Sequence, residues 1–213
     1  LLIPLMMLTM MPMAACDGSN ADPILPEQPG QPGNSDGGDE DDSTNPTNPI
    51  PGGNGRYLVL YCSRTGSTER MAQQIQQTLD CDILEVEPQT PYESDYNGML
   101  NRAQEELAAI RQGNYPAIKT SVEDFGNYDI VFVGYPIWYG SMATPMQTFL
   151  HNHASKLAGK RIALFASSGS SGISASVDEA RTLCSGATFT ETLLLTSSTL
   201  SQMGNRIRTW LET

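Results

Sequence analysis

The feature that most constrains the fold is an alternation of apolar runs and helical patterns between residues 56 and 213. The first run, RYLVLYC, reads as a buried strand and is followed by STERMAQQIQQTL at residues 67–79. The apolar residues of this second segment recur at helical spacing, at Met71, Ala72, Ile75 and Leu79. Such alternation favours a parallel sheet that helices cover on both faces. We therefore predict an α/β fold with a doubly wound parallel sheet.

Four further apolar runs are predicted strands: CDILEVE (81–87), YDIVFVGYP (128–136), RIALFASS (161–168) and TFTETLLL (188–195). Further helices are predicted over 97–113, after residue 143 and over 200–212. In the first of these, Leu100, Ala103, Leu107 and Ile110 should face the core and Gly113 should end the helix. Five parallel strands predict a three-layer α/β/α domain in which ligands bind beyond the carboxyl ends of the strands.

A loop of hydroxyl residues around one glycine, SRTGST, joins the first strand to the first helix. Backbone N–H groups at a helix N-terminus are unpaired, and the helix dipole favours an anion there. Four hydroxyls add uncharged donors, on Ser63, Thr65, Ser67 and Thr68. The alternative is that Ser67 or Thr68 only caps the helix. Since capping needs one hydroxyl rather than four around Gly66, we predict an anion-binding loop.

Three other phosphate-binding patterns do not fit this loop. The triphosphate loop needs G-x-x-x-x-G-K-[ST], and no lysine is present here; G-x-G-x-x-G is also absent after this strand. Cys62 lies where low-molecular-weight tyrosine phosphatases begin C-x5-R, but the sixth following residue is Thr68 and the next arginine is Arg70. Without that arginine fork no group clamps the phosphate oxygens, so we expect Cys62 to be a small buried apolar residue.

Two more loops follow predicted strands at the same sheet edge. The segment GYPIWYGSMATPM places two large aromatic residues beside a glycine at a predicted strand-to-helix turn, in the run Pro136, Ile137, Trp138, Tyr139 and Gly140. They would offer a stacking face for a flat aromatic ring system, although Trp138 would alternatively cover the edge of the core. After the fourth predicted strand comes a loop of small residues, Ser168, Gly169, Ser170, Ser171 and Gly172.

Together these loops resemble the flavodoxin superfamily over residues 57–213. SRTGST matches that family's T/S-x-T-G-x-T phosphate loop, and GYPIWYG is similar to the second flavin loop of the branch marked by Gly-Tyr-Pro-Ile-Trp. PYESDYN, at residues 91–97, resembles the segment that this branch has between the second strand and the next helix. The resemblance implies a flavodoxin-like fold with strand order 2-1-3-4-5 and non-covalently bound FMN. The fifth strand has no long insertion, so the chain resembles the short-chain type of this family.

The resemblance also implies which residues hold the cofactor. The phosphate would lie on the first loop, Ser63, Arg64, Thr65, Gly66, Ser67 and Thr68, the isoalloxazine against residues 136–140, and its polar edge against residues 168–172. Arg64 departs from an otherwise neutral loop, and it would either reach the phosphate or point to solvent. No protein residue is expected to be catalytic, because the flavin carries the redox chemistry. No metal is expected, since His151 and His153 diverge on a helix and lack an evident third ligand.

The first 55 residues differ from the rest in composition. Residues 1–15, LLIPLMMLTMMPMAA, are apolar and uncharged, too short and proline-interrupted for a membrane span, and typical of the apolar region of an N-terminally incomplete signal peptide. Ala14 and Ala15 before Cys16 resemble a bacterial lipobox, which implies acylation of Cys16, although an ordinary signal with a coincidental cysteine is the alternative. Residues 16–55 are acidic and rich in Pro and Gly, and we predict a disordered tether.

Charge separates the same two parts of the chain. Of 24 acidic residues, eight lie in the first 55 positions, where no Lys or Arg occurs, so residues 56–213 hold 16 acidic and 12 basic residues. This mildly acidic domain has no basic patch for nucleic acid. Together, the resemblances to the flavodoxin superfamily and to a bacterial lipobox imply an FMN-binding lipoprotein, anchored outside the cytoplasm of a bacterial envelope, that transfers electrons to an unidentified partner protein or small acceptor. An FMN-dependent NAD(P)H or quinone reductase and a ligand-binding lipoprotein without redox activity are the alternatives.

Overall fold

The computed structural model describes residues 56–213, so the predictions for the signal peptide, Cys16 and the tether concern residues outside this range. The strands are β1 Tyr57–Tyr61, β2 Asp82–Glu85, β3 Ile130–Trp138, β4 Ser141–Met142, β5 Arg161–Ser168, β6 Thr188–Phe189 and β7 Leu193–Thr196. The helices are α1 Ser67–Leu79, α2 Tyr96–Ile110, α3 Thr144–His153, α4 Ser174–Leu183 and α5 Met203–Leu211, with a 3₁₀ turn at Leu200–Gln202.

The strands form one sheet in the order β2-β1-β3-β5-β6, with β7 also paired to β5 and every one of these pairs parallel. This confirms the α/β class and agrees with the predicted order 2-1-3-4-5, in which the fourth predicted strand is β5. The fifth predicted strand is interrupted between β6 and β7. There the carbonyl of Glu191 accepts from the indole Nε1 of Trp210 at 2.9 Å, outside the β-ladder.

Side chains alternate between the two faces of β1, as they must in a strand. Leu58 and Leu60 pack into a core that includes Phe149 of α3. Val59 packs on the opposite face, in a second core that includes Met71 of α1. Two buried layers with helices outside each confirm the three-layer arrangement.

Helix α2 is rotated slightly from its predicted orientation. Its buried residues are Met99, Ala103 and Leu107, whereas Leu100 and Ile110 are only half-buried. The prediction that Leu100 and Ile110 face the core is therefore wrong, and Met99 takes the core position at the start of the helix. Gly113 does follow the helix in a left-handed conformation, with φ +83°.

Within their paired region, β3 lies tightly against β5. Gly134 is paired with Phe165, and a Cβ atom on Gly134 would lie 2.1 Å from Cζ of the Phe165 ring. No side chain fits there, so glycine permits this close approach. Among residues 56–213, no helix is long and apolar enough to cross a membrane.

Candidate functional site

The first loop, residues 63–68, runs into the first turn of α1, which begins at Ser67 and has no side chain at its N-cap position. Gly66 holds the N-cap position of α1 in a left-handed conformation, with φ +83° and ψ −11°, and it has no side chain to cap the helix; Ser67 and Thr68 already lie inside α1. At α2, by contrast, the Asp95 carboxylate accepts from the N–H of Gly98 at 2.7 Å. The alternative that Ser67 or Thr68 caps α1 is therefore wrong. The first turn of α1 keeps its N–H groups for an external acceptor.

Thr68 differs from the other hydroxyl residues of this part of the chain. Its side chain is 1% exposed, and its hydroxyl lies 2.8 Å from the hydroxyl of Ser167, which is also buried. Ser63 and Ser67 are half-buried, and Thr65 is exposed. The inner end of the predicted phosphate site is thus tied to the end of β5, while its outer hydroxyls face solvent.

Arg64 is hydrogen-bonded to a segment of the chain that the sequence did not suggest. Its Nη2 atom lies 3.1–3.2 Å from three consecutive backbone carbonyl oxygens, those of Glu93, Ser94 and Asp95. These carbonyls immediately precede α2. The guanidinium therefore joins the first loop to the segment in front of α2, and the first loop remains a cradle of uncharged donors.

The second loop is a hairpin rather than the predicted strand-to-helix turn. β3 continues through Pro136, Ile137 and Trp138, and Trp138 pairs antiparallel with Ser141 of β4. The two residues between them have positive φ, +52° at Tyr139 and +79° at Gly140, as tight two-residue hairpins require. Because of this turn, the Tyr139 ring is half exposed at the carboxyl edge of the sheet.

Trp138 lies between the core and this exposed edge. Its ring is half-buried, packs against the core and meets the ring of Tyr92 edge-on, with centroids 5.0 Å apart and an interplanar angle of 78°. The expectation that Trp138 covers the core edge is confirmed, and its ring stays partly accessible; its stacking on a flat ring stays a prediction. Tyr92 was not a predicted site residue, because the contact spans 46 positions and leaves no local sequence signal.

Helix α4 supports the second loop from behind. The carboxylate of Glu179 accepts from the backbone N–H of Met142 at 2.8 Å, and the hydroxyls of Tyr135 and Ser176 lie 3.0 Å apart. The sequence analysis did not predict α4, whose buried side chains are few and small: Ser176, Val177 and Ala180. These contacts fix the hairpin relative to the third loop, which precedes the same helix.

The third loop is open to solvent. Residues 169–172 are exposed, and the hydroxyl of Ser168 donates to the carbonyl of Ser171 at 2.9 Å. Because β1, β3 and β5 are parallel neighbours, all three loops meet at one sheet edge. Four of their glycines have no heavy atom within 4 Å of an added Cβ: Gly66, Gly140, Gly169 and Gly172. The loops therefore leave space for a ligand where side chains would otherwise project.

A cavity of about 490 Å³ lies on the β2 side of the first loop. It is lined by Ser63, Arg64, Thr65, Glu85, Glu87, Pro88, Pro91, Tyr92, Glu93, Ser94 and Lys119, and by no residue of the other two loops. Burial raises the pKa of Glu85, and the nearby charges of Glu87 and Glu69 act in the same direction. The cavity therefore adjoins the first loop, whose residues Ser63, Arg64 and Thr65 form part of its wall.

The other candidate groups are structural. Cys62 is buried, and burial raises the pKa of its thiol, as expected for a small apolar residue rather than a nucleophile. His151 stacks on Tyr115, with ring centroids 3.8 Å apart, whereas the Nδ1 of His153 lies 2.8 Å from the carbonyl oxygen of Phe149. Over residues 56–213, no group of three His, Cys, Asp or Glu side chains is arranged to hold a metal ion.

Known proteins match this domain along most of their length. A candidate flavoprotein from Bacteroides eggerthii DSM 20697 is 33% identical, over 74% of this chain and 96% of its own, with a TM-score of 0.62. Another from Bacteroides uniformis ATCC 8492 is 27% identical, over 76% and 99%, with a TM-score of 0.62. A flavoprotein from Lactobacillus acidophilus NCFM, crystallised in complex with FMN, is 26% identical, over 70% and 97%, with a TM-score of 0.57.

No protein of curated function matches the chain significantly. The flavodoxin family model, however, matches residues 56–213, which include all seven strands and the three loops at their carboxyl edge. The chain belongs to the flavodoxin family.

Proposed function

We propose that residues 56–213 bind FMN non-covalently and transfer electrons outside the cytoplasm. The observation that carries this proposal is the uncapped start of α1, where left-handed Gly66 leaves backbone N–H groups open to an anion. It is supported by the FMN complex of the Lactobacillus acidophilus flavoprotein, whose sequence and fold are similar.

The phosphate of FMN would be held by uncharged donors of the first loop. Ser63, Thr65 and Ser67 supply accessible hydroxyls, and the backbone at Gly66 allows close approach. The neighbouring cation, Arg64, is engaged by the carbonyl oxygens in front of α2. The phosphate charge is then not neutralised by the protein, which disfavours further negative charge on the bound cofactor.

The ring of FMN would lie between the second and third loops. Trp138 and Tyr139 present aromatic surface on one side, and Gly169 and Gly172 leave room for backbone groups to approach on the other. When bound, FMN supplies the capacity to take up and release electrons, and the protein orients it. The Glu179 contact to Met142 fixes the aromatic side of this site.

The first test is the visible spectrum of the purified protein, followed by chromatography of the chromophore released on denaturation. We expect two flavin bands and free FMN. Gly66→Ala should weaken FMN binding, because a side chain is strained at φ +83° and projects into the loop's open space. Gly113→Ala is the matched control, since Gly113 has the same φ and open surroundings but lies after α2, away from the three loops. A colourless protein that also fails to bind added FMN would contradict the proposal.

Electron transfer and turnover need separate assays. The reduced protein should pass electrons to a one-electron acceptor such as ferricyanide without sustained consumption of NAD(P)H. Continuous NAD(P)H oxidation with a quinone would instead favour the reductase alternative.

The proposed location rests on the composition of the first 55 residues, with an apolar run before Cys16 and an acidic Pro/Gly-rich stretch after it. Acylation of Cys16 should place the native protein in the membrane fraction, and Cys16→Ala should release it. Mass spectrometry of the mature N-terminus gives the direct answer. An unmodified Cys16 in the native protein would contradict the anchor.

A further inference from the structure

One carboxylate, that of Glu106, joins three elements beside the second loop. It accepts hydrogen bonds from the hydroxyls of Tyr92, which lies in the segment before α2, and of Thr144, the first residue of α3. These two hydroxyls are themselves 2.7 Å apart. The Glu106 side chain is only 12% exposed, so its charge is largely removed from water.

Arg102 completes this arrangement one turn earlier on α2. Its Nε lies 2.8 Å from Oε1 of Glu106, and its other two nitrogens donate to the carbonyl oxygens of Pro91 and Thr90 at 2.8 and 2.9 Å. Its guanidinium also lies over the Tyr92 ring, 4.2 Å from the centroid. The Tyr92 ring is therefore held through its hydroxyl, its face and its backbone neighbours.

The Tyr92 ring also packs against Trp138. The planes of the two rings meet at 78° and their centroids are 5.0 Å apart, which is the favoured edge-to-face geometry. Trp138 is the only aromatic residue of the second loop that packs on Tyr92 among the contacts between described residues. Fixing Tyr92 thus fixes one side of the Trp138 indole.

Stability alone does not account for such a network. A buried ion pair is weak evidence for stability, because removing two charges from water costs about as much as their attraction returns. A network of this kind does restrict geometry, since each partner must keep its position to satisfy the others. The geometry restricted here is that of Tyr92 and, through it, Trp138.

We propose that Glu106 is a positioning residue for the flavin ring, which it serves by holding Tyr92 against Trp138 so that the indole is set before the ring arrives. This inference rests on the proposed FMN function. It concerns the ring and not the phosphate, since the first loop shares no contact with Glu106 among the hydrogen bonds of residues 56–213.

The test uses the full chain and measures its affinity for three ligands: FMN, riboflavin, which lacks the phosphate, and inorganic phosphate, which lacks the ring. Glu106→Gln keeps an acceptor for Tyr92 and Thr144 but loses the charge that holds Arg102; Tyr92→Phe is milder and keeps the ring. Within each variant, the affinity for FMN and the affinity for riboflavin should fall by the same factor. We expect that factor to be about three- to tenfold, as for the loss of one aromatic contact. Inorganic phosphate, measured by competition with FMN, should bind as it does in the wild type.

Tyr61→Phe is the matched control. Tyr61 also directs its hydroxyl at a carboxylate, that of Glu85 at 3.5 Å, but on the β2 side of the first loop. It should leave the binding of all three ligands unchanged. Unchanged flavin affinity in both Glu106→Gln and Tyr92→Phe, or an equal loss of phosphate affinity, would overturn the inference.

Failure of the proposed function has a different signature. It would show as a wild-type protein that binds neither FMN nor riboflavin. The positioning step is then decided by the near-ultraviolet circular dichroism of Trp138, isolated by subtracting the spectrum of Trp138→Phe. Loss of that signal in Tyr92→Phe and Glu106→Gln supports the positioning of Trp138 by Glu106, and an unchanged signal overturns it.

Discussion

The hydroxyls of Thr68 and Ser167 lie 2.8 Å apart, both buried, and they join the start of α1 to the end of β5. Removing either hydroxyl leaves the other buried without this hydrogen-bond partner. An unpaired buried hydroxyl costs about 1–3 kcal/mol. We expect Ser167→Ala and Thr68→Val each to lower the free energy of unfolding by about that amount. Urea denaturation followed by circular dichroism measures it.

The double variant tests this explanation. When both partners are replaced by apolar groups the penalty largely disappears, so Thr68→Val/Ser167→Ala should cost clearly less than the two single changes added together. Ser168→Ala is the control, because its hydroxyl makes an exposed bond to Ser171. Additive costs in the double variant would show that the two hydroxyls do not depend on each other.

Gly134 should tolerate no side chain. A methyl group there would lie 2.1 Å from the Phe165 ring, in the middle of a parallel strand pair, and overpacking of a core usually costs about 1–3 kcal/mol. We expect Gly134→Ala to reach at least the upper part of that range in urea denaturation. Gly169→Ala is the comparison, because an added methyl there meets open space. Similar stability of the two variants would contradict the predicted clash.

Arg64 should matter for the segment before α2 rather than for FMN. Its guanidinium is bonded to the carbonyl oxygens of residues 93–95, so Arg64→Met should increase amide hydrogen exchange over that segment. FMN affinity should change by less than about threefold, and its salt dependence should stay the same, since screening acts on charge pairs. A large loss of FMN affinity that high salt reproduces in the wild type would place Arg64 on the phosphate.

The elements that could be predicted from the sequence are those with strong local signals. Helix α1 and strand β5 have the predicted bounds, because helical spacing in one and a continuous apolar run in the other leave little ambiguity. The first loop could be located for the same reason. Helix α4 could not, since only Val177 and Ala180 supply buried apolar side chains in it.

Features that depend on distant parts of the chain were not predicted. The hairpin after β3 requires a positive φ at Tyr139, a residue type that gives no turn signal. The fifth strand reads as continuous, but a side chain from α5 takes the carbonyl of Glu191 where β6 and β7 separate. The carbonyl partners of Arg64 lie about 30 residues away, beyond the reach of any local pattern.

His153 gives the domain a stability that depends on pH. Burial lowers the pKa of His153, with Lys156 acting in the same direction and the Phe149 carbonyl and Glu123 opposing it. Its Nε2 accepts from the backbone N–H of Val122 at 3.2 Å, which requires the neutral ring. The unfolded chain, with a histidine pKa of about 6.5, binds the proton more readily than the folded one. The stabilisation is therefore complete above about pH 6.5 and is lost as the pH falls through the lower, folded value.

We expect the free energy of unfolding to decrease between pH 7.5 and pH 5, measured by urea denaturation at constant ionic strength. His153→Gln should be less stable at pH 7.5 but should lose part of this decrease, because its side chain does not titrate. His151→Gln is the control, since His151 is exposed and stacks on Tyr115 at the surface. It should keep the wild-type pH dependence. If His153→Gln also keeps the full decrease, other groups cause it, and the buried imidazole does not link folding to pH.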